Sequence, residues 1–105
     1  MRVRLSLLAL ADIEEIRTYT VKQWGQDQWL RYFAALSSAL EAIETDPNCG
    51  RPRDFILEGL RSFSFQRHII FFLPAREPGE KVVVLRIVHE RRNLAALSYS
   101  DDLEP

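Results

Sequence analysis

The sequence is poor in the residues that cross-link a chain or anchor it in a membrane. Its single cysteine, Cys49, cannot form an internal disulfide, which suits a reducing compartment. No apolar run approaches the ~18 to 20 residues that a membrane-spanning helix needs. The N-terminal stretch starts as a signal peptide could, but Asp12, Glu14 and Glu15 stand where a small-residue cleavage site should follow. These absences predict a soluble, cytoplasmic protein with no membrane partner.

Residues that hold metals, phosphates or cofactors are equally scarce. The two histidines, His68 and His89, and the lone cysteine do not have the spacing of a zinc site. The four glycines form no phosphate-binding loop. Arg51 could lower the pKa of the Cys49 thiol, but no histidine stands near that thiol in the sequence. We therefore expect no metal and no cofactor.

What the chain does have is enough apolar sequence for one core. Hydrophobic residues make up 47% and charged residues 28%, values near the averages for globular proteins. In a chain of 105 residues, a second core would leave each half too short to offset its conformational entropy. We expect one domain over residues 1–97, followed by a flexible acidic tail over residues 98–105.

Charge is unevenly distributed along the chain. Residues 1–50 carry five Lys or Arg against seven Asp or Glu, residues 51–92 carry nine against five, and residues 93–105 carry none against three. The excess in the middle segment is too small to predict strong direct binding to nucleic acid, which usually neutralises several phosphates at once. It fits either a solvated sheet edge and loop or a surface that meets an acidic partner.

The first half of the chain predicts a short strand and two helices. Residues 2–5 alternate polar and apolar side chains, as a strand with one buried face does. Ser6 can cap the helix that follows, and Gly25 can end it with a positive φ. Asp46 should end the second helix, because a residue before proline, here Pro47, avoids the helical region. The predicted buried stripes are Ala9, Ile13, Ile16 and Thr20 in the first helix, with Asp12 off the stripe, and Trp29, Phe33, Leu36, Leu40 and Ile43 in the second.

The second half predicts three strands. A loop over residues 47–52 comes first, and residues 60–65, 68–73 and 82–88 then have the β-branched and aromatic composition of strands. The segment 74–80 contains Pro-Gly and should close the last two strands as a hairpin. The predicted order is β-α-α-β-β-β, an α+β fold in which a helical hairpin packs on a small, mainly antiparallel sheet.

One surface of this predicted sheet lacks a cover. Residues 69–73 and 82–85 are apolar on both faces, and two helices can cover one face only. The other face could be covered by residues 94–97 folding back, by a second copy of the chain or by a different protein. We favour a different protein, because exposed apolar patches beyond roughly a few hundred Å² usually mark interaction sites.

Several strings of the sequence resemble the ParE branch of the RelE/ParE toxin superfamily, in the order that this family shows. They are ADIEEI at residues 11–16 with Tyr19, Trp24-Gly25, Asp46-Pro47 with Gly50-Arg51, Gly59-Leu60-Arg61, RHIIF at residues 67–71 and RIVHERR at residues 86–92. The resemblance covers nearly the whole chain. It implies the RelE/ParE-like fold and the toxin component of a type II toxin–antitoxin system.

Two activities occur among proteins of this superfamily. ParE-like toxins poison DNA gyrase and are masked by the flexible C-terminal segment of a ParD-like antitoxin, whereas RelE-like members cut messenger RNA at the ribosome. The resemblance to the ParE branch implies a ParD-like antitoxin and DNA gyrase as partners, and inhibition by binding rather than by catalysis. The alternative is a RelE-like, ribosome-dependent mRNA endoribonuclease.

The residues themselves bear on this choice. Cleavage of RNA needs a proton acceptor, an acid and cations at the phosphate, and the candidates for such a set are Arg61, Arg86 and His89. RelE-like nucleases place a tyrosine or histidine in a strongly basic setting near the last strand, but here Glu90 follows His89, and Tyr99 lies in the acidic tail. We therefore predict no catalytic residue.

Basic residues are expected to meet the target or the antitoxin instead. Arg61 and Arg86 interrupt apolar strand sequence, so they either surround a phosphate site or meet acidic groups of the antitoxin, and we favour the second. His68 should be a hydrogen-bonded histidine beside the core. The predicted binding residues are Arg51, Arg53, Arg61, Arg67, Arg86, His89, Arg91 and Arg92.

Overall fold

The computed structural model describes residues 3–75, 79 and 82–92. It confirms the predicted order of elements and adds a strand of two residues in the segment predicted as a loop. The elements are β1 Val3–Leu5, α1 Leu7–Trp24, α2 Gln26–Thr45, β2 Arg51–Pro52, β3 Arg61–Phe65, β4 His68–Pro74 and β5 Val82–His89. The predicted domain end at residue 97, the acidic tail and residues 94–97 lie outside the described residues.

Helix α1 is attached to the sheet by its N-cap residue, Ser6. The hydroxyl of Ser6 accepts a hydrogen bond from the Ala9 N–H at 3.0 Å, which caps the helix, and donates one to the Leu85 carbonyl at 2.8 Å. Gly25 ends the helix with a φ of 92°, as predicted. Asp12 is buried, although the stripe predicted it outside the core.

Helix α2 buries four of the five residues predicted for its stripe, and it ends before Asp46 as predicted. The exception is Phe33, whose side chain is 48% exposed, while the preceding Tyr32 is 8% exposed. The ring of Tyr32 packs against Phe65 and His68, with ring centroids 5.4 and 5.3 Å away. The buried face of this helix is therefore turned toward Tyr32.

The described strands form a mixed sheet of five in the order β1-β5-β4-β3-β2. β1 and β5 are parallel, and the other neighbouring pairs are antiparallel. Pairing of β1 with β5 ends at Leu5 and Val84, so residues 86–89 continue past the end of β1. A register irregularity falls between Phe71 and Phe72, next to the point where β5 leaves β1.

The two helices cover one face of the sheet. Their buried side chains, among them Leu36 and Ile43, pack with Ile70, Phe72 and Val84. Ile69 and Phe71 lie in a separate cluster, so the side chains of β4 alternate between the two faces of the sheet.

The expectation that a foreign chain covers the other face is wrong. Ile69, Phe71 and Leu85 are 7%, 0% and 0% exposed in the single chain. Ile56 and Leu57, from the connection between β2 and β3, pack against this cluster. The prediction did not consider this connection, because its two apolar residues lie among Asp, Glu and Gly without the periodicity of a helix or strand.

No helix within residues 3–75 and 82–92 has the length and apolar composition to span a membrane.

Candidate functional site

Arg86 is held inside the fold by Asp12. Its Nε and one terminal nitrogen donate hydrogen bonds to the two carboxylate oxygens of Asp12, each at 2.8 Å. Asp12 Oδ2 also accepts the backbone N–H of Ile87 at 3.0 Å. Both side chains are about nine-tenths buried. Arg86 thus joins β5 to α1 and contributes little to the exposed surface.

Arg61 also bonds within the chain. Its guanidinium donates hydrogen bonds to the carbonyl oxygens of Asn48, Cys49 and Gly50, at 2.6, 2.8 and 3.2 Å. These carbonyls belong to the segment that leads into β2. The same segment approaches β3 closely at Gly50, which has a φ of +81°, and a Cβ there would collide with the carbonyl oxygen of Ser62. Arg61 therefore fixes the β2 edge of the sheet.

The predicted nuclease set does not converge on one point. Arg61 bonds to the segment before β2, at one edge of the sheet, and Arg86 bonds to α1 on the β1 side. His89 ends β5, where it pairs with His68. The two arginines are thus held by bonds to different parts of the chain.

The remaining predicted arginines fall into two groups. Arg51 and Arg53 lie on and beside β2, and the Nε of Arg53 donates a hydrogen bond to the Ser62 hydroxyl at 2.9 Å. Arg67, Arg91 and Arg92 are exposed where the β3–β4 turn meets the end of β5. The first group lies at the β2 edge of the sheet, whereas the second lies at the strand ends, and β3 and β4 separate β2 from β5.

The second group surrounds His89. The Nδ1 of His89 accepts the backbone N–H of Arg91 at 3.1 Å, and the N–H of Glu90 donates to the Arg67 carbonyl at 3.0 Å. The Nη1 of Arg67 lies 3.6 Å from the Oε1 of Glu90 in an exposed ion pair. We name Arg67, His89, Arg91 and Arg92 the arginine rim; with Glu90, its formal charge is +2 when His89 is neutral.

A cleft of about 600 Å³ lies beside this rim. We name it the α1–β5 cleft, because residues of α1, including Glu15 and Tyr19, face residues 87–89 of β5 across it. Tyr32 of α2, His68 and Arg92 also line it. Its volume lies within the range of about 300–1,000 Å³ that ligand sites occupy.

Two buried polar atoms at the cleft have no hydrogen-bond partner among the described residues, namely the hydroxyl of Tyr32 and the Nδ1 of His68. Burial raises the pKa of Tyr32 and keeps its hydroxyl protonated. Burial also lowers the pKa of His68, and so does the nearby His89, whereas Glu90 opposes the shift. The hydrogen bond expected for His68 is absent at Nδ1, and the direction of the pKa shift favours the neutral imidazole.

Sequence reasoning missed Asp12, Tyr32 and the exposed aromatic residues of the cleft. Asp12 and Arg86 are 74 residues apart, and nothing in the spacing links them. Trp24 and Tyr19, which line the cleft, are 70% and 61% exposed. The sequence did contain one signal for these two residues. Both are large aromatic residues outside the predicted buried stripes, and exposed aromatic residues are common on protein-binding surfaces.

The thiol and the possible metal ligands support no other chemistry. Burial and Asp46 raise the pKa of Cys49 more than Arg61 lowers it, so the neighbouring arginines do not activate the thiol. In the described part of the chain, no three His, Cys, Asp or Glu residues are grouped to hold a metal ion.

Comparison with known proteins connects this fold and site to one family. The family model described as "ParE toxin of type II toxin-antitoxin system, parDE" matches residues 3–94. The chain is 31% identical over 93 residues to Toxin ParE1 of Caulobacter vibrioides, and 35% identical over 94 residues to Toxin ParE1 of Mycobacterium tuberculosis. Each alignment covers 89% of this chain and 93% of the relative.

A solved structure supports the fold. A chain from the chromosomal ParDE TA system of P. aeruginosa superposes with a TM-score of 0.67 at 19% identity, covering 85% of this chain and 95% of that one. The resemblance of the sequence strings to the ParE branch is thus confirmed over nearly the full length. The chain belongs to the ParE family of toxins of type II toxin–antitoxin systems.

Proposed function

We propose that this ParE-family toxin inhibits DNA gyrase by binding to it, and that a ParD-like antitoxin neutralises the toxin in the cytoplasm. The relatives are named as ParE toxins, and the structural neighbour comes from a ParDE system. Inhibition by binding requires an exposed surface that a partner can recognise, and the arginine rim with the neighbouring Trp24 and Tyr19 has the charge and aromatic side chains for it.

The observation that carries the proposal is that both strand arginines, Arg61 and Arg86, form hydrogen bonds within the chain. Arg86 is bound by Asp12, and Arg61 is bound by three backbone carbonyls. A nuclease needs cations free to neutralise developing charge at the phosphate. A toxin that acts by binding needs no such set, and these two arginines are then required for stability alone.

One observation favours the alternative function, an mRNA endoribonuclease. His68 and His89 lie with ring centroids 5.5 Å apart, near Arg67 and Arg92. Two imidazoles beside cations could exchange protons with an RNA 2′-hydroxyl and a leaving oxygen. Because removal of a general base commonly costs about 10²-fold or more in rate, this alternative makes His89 essential.

Expression of the chain without antitoxin separates the two activities. We expect growth arrest with double-strand breaks in DNA, with mRNA left intact, and we expect His89→Ala to retain at least part of the arrest. The measurement is colony formation, together with mapping of mRNA 5′ ends and of DNA breaks in the same cultures. Ribosome-dependent mRNA cleavage that His89→Ala abolishes, in a variant that remains folded by circular dichroism, would establish the nuclease instead.

A further inference from the structure

The buried side of the α1–β5 cleft holds hydrogen-bonding atoms that are not in use. Tyr32, which is 8% exposed, and the half-buried His68 line this side. The hydroxyl of Tyr32 and the Nδ1 of His68 have no hydrogen-bond partner among the described residues. A buried polar group without a partner reduces stability, and a ligand atom that bonds to it recovers the loss. Since a hydroxyl can donate a hydrogen bond, a ligand with acceptor atoms suits this side.

The α1 side of the cleft offers aromatic rings and a carboxylate. Tyr19 and Trp24 line it and are 61% and 70% exposed. Exposed rings of this kind stack with planar ligands, among them the bases of nucleic acids. Glu15 also lines the cleft and precedes Tyr19 by four residues, which places the two side chains next to each other on one face of α1. A planar ring stacked on Tyr19 would thus present an edge to a carboxylate, which accepts hydrogen bonds and donates none.

The end of β5 supplies cations. Arg67 and Arg92 line the cleft beside His89, and both arginines are exposed. A guanidinium group has a planar set of N–H donors that can bond two oxygens of a phosphate at once. Arg67 also meets Glu90 in an ion pair, but the arginine rim keeps a positive formal charge. The cleft is therefore acidic and aromatic along α1 and basic at the end of β5.

A guanine nucleotide carries the groups that these three sides would bind. Its base is planar, and two adjacent N–H donors on its pairing edge fit the two oxygens of one carboxylate. The O6 and N7 atoms on the neighbouring edge are acceptors. Its phosphate suits the guanidinium groups at the other end. The cleft volume of about 600 Å³ lies in the range of ligand sites, so a molecule of this size fits.

We propose that the α1–β5 cleft binds a guanosine phosphate. The base stacks on Tyr19 with its pairing edge toward Glu15, an acceptor atom of the base bonds to the Tyr32 hydroxyl, and the phosphate lies at the arginine rim. The hydroxyl is covered in the free chain, so its bond requires a shift of the His68 ring, whose centroid lies 5.3 Å from that of Tyr32. The ligand is either a free nucleotide or an unpaired guanosine of a nucleic-acid strand, since both carry the same groups. Its binding does not depend on gyrase being the target of the toxin.

Isothermal titration calorimetry of the purified full chain with guanosine monophosphate (GMP) and uridine monophosphate (UMP) tests the choice of base. GMP should bind with a Kd below about 1 mM. UMP should bind about tenfold or more weakly, because uracil presents one N–H between two carbonyl oxygens, which Glu15 would repel. Glu15→Gln should reduce this preference to about threefold or less, because an amide has one acceptor oxygen in place of two.

Two exposed residues separate the contact to the base from the contact to the phosphate. Tyr19→Ala should weaken the binding of GMP and of guanosine by about fivefold or more, because the stacking ring is lost, whereas Tyr19→Phe keeps the ring and both affinities. Arg92→Gln should weaken the binding of GMP about tenfold and leave that of guanosine, which has no phosphate, unchanged. Arg51→Gln is the matched control, because Arg51 is an exposed arginine at the β2 edge of the sheet, and its effect should stay below about twofold.

Tyr32→Phe tests the buried donor with a readout that a merely structural role would not give. Removing a buried hydroxyl without a partner should leave the melting temperature of the free chain unchanged or higher. The same substitution should weaken the binding of GMP about fivefold, because the base loses a donor. A structural role alone would lower the melting temperature and leave the Kd for GMP as it is.

A short single-stranded oligonucleotide with one guanosine, compared with GMP, identifies the source of the ligand. Tighter binding of the oligonucleotide assigns the cleft to a nucleic-acid strand, and tighter binding of GMP assigns it to a free nucleotide. In either case, Tyr19→Ala should weaken the tighter ligand as it weakens GMP.

The variants decide whether the site exists. Loss of affinity for GMP in Tyr19→Ala and Arg92→Gln, with Arg51→Gln unaffected and all three variants folded by circular dichroism, supports the cleft. No binding of GMP at about 1 mM, or a Kd that both cleft variants leave unchanged, overturns the proposed site. Neither result bears on the inhibition of gyrase, which is measured separately.

Discussion

At the scale of single residues, two arginines that look like binding groups in the sequence act as structural links. Arg86 forms a bidentate ion pair with Asp12, and Asp12 also accepts a backbone N–H of β5. A buried ion pair contributes little net stability by itself, but breaking it leaves one uncompensated charge in the interior. The position of α1 beside β5, and therefore the shape of the cleft, depends on this contact.

Asp12→Ala should destabilise the protein by about 3–5 kcal/mol, because Arg86 then stays buried without its carboxylate. That loss is a large part of the roughly 5–15 kcal/mol that holds a domain folded. Urea unfolding monitored by tryptophan fluorescence measures it. The double variant Asp12→Leu with Arg86→Met should lose less than Asp12→Ala alone. A loss below about 1 kcal/mol in the single variant would show that the pair does not hold α1 on the sheet.

The lowered pKa of His68 predicts that the stability of the folded chain depends on pH. Burial lowers its pKa in the folded chain below the ordinary value of 6.5, so the unfolded chain takes up the proton first. The free energy of unfolding therefore keeps its full value above about pH 6.5. It decreases as the pH falls from there through the pKa of His68 in the folded chain. Unfolding free energies measured between pH 7.5 and 5.5 should fall less steeply in His68→Gln than in the wild type. Equal slopes would contradict this role of His68.

At the scale of elements, the agreement between sequence and structure follows the strength of each local pattern. The helices could be predicted because their apolar residues recur at helical spacing, and the strands β3 to β5 because they are rich in β-branched and aromatic residues. The two residues of β2, one of them Pro52, are too few to show a period. The connection that packs against the second sheet face shows none either. The predicted stripe contained Phe33, whereas the structure buries Tyr32. A shift of one position turns the buried face by about 100° around the helix axis.

The approach of β2 to β3 gives a prediction at this scale. Gly50→Ala should destabilise the chain by about 2–4 kcal/mol, because a Cβ would meet the Ser62 carbonyl in addition to the strain of a positive φ. Gly25→Ala is the matched control: its φ is also positive, but its Cβ would enter open space. The control should lose less than Gly50→Ala, about 1–3 kcal/mol, because only backbone strain at φ 92° and ψ 170° opposes it. Thermal unfolding compares the two, and equal losses would show that the clash at Ser62 is relieved without cost.

At the scale of the whole molecule, the partner hypothesis now has a different basis. The sequence suggested an uncovered apolar sheet, but the single chain buries that face. Membership of the ParE family and the α1–β5 cleft carry the hypothesis instead. Of the basic residues predicted for binding, Arg67, His89, Arg91 and Arg92 lie together at one end, while Arg61 and Arg86 bond inside the chain. Their sequence positions could not reveal this, since those internal partners lie 11 to 74 residues away.

Incubation of the purified chain with DNA gyrase and supercoiled plasmid is the most direct measurement of the proposed activity. The account predicts reduced supercoiling by gyrase, with linear plasmid released when the protein is denatured, which reports a trapped cleavage complex. Arg91→Glu with Arg92→Glu should weaken this effect about tenfold or more, while the melting temperature stays nearly unchanged. Full gyrase activity and no linear plasmid, in the presence of excess folded wild-type chain, would contradict the account.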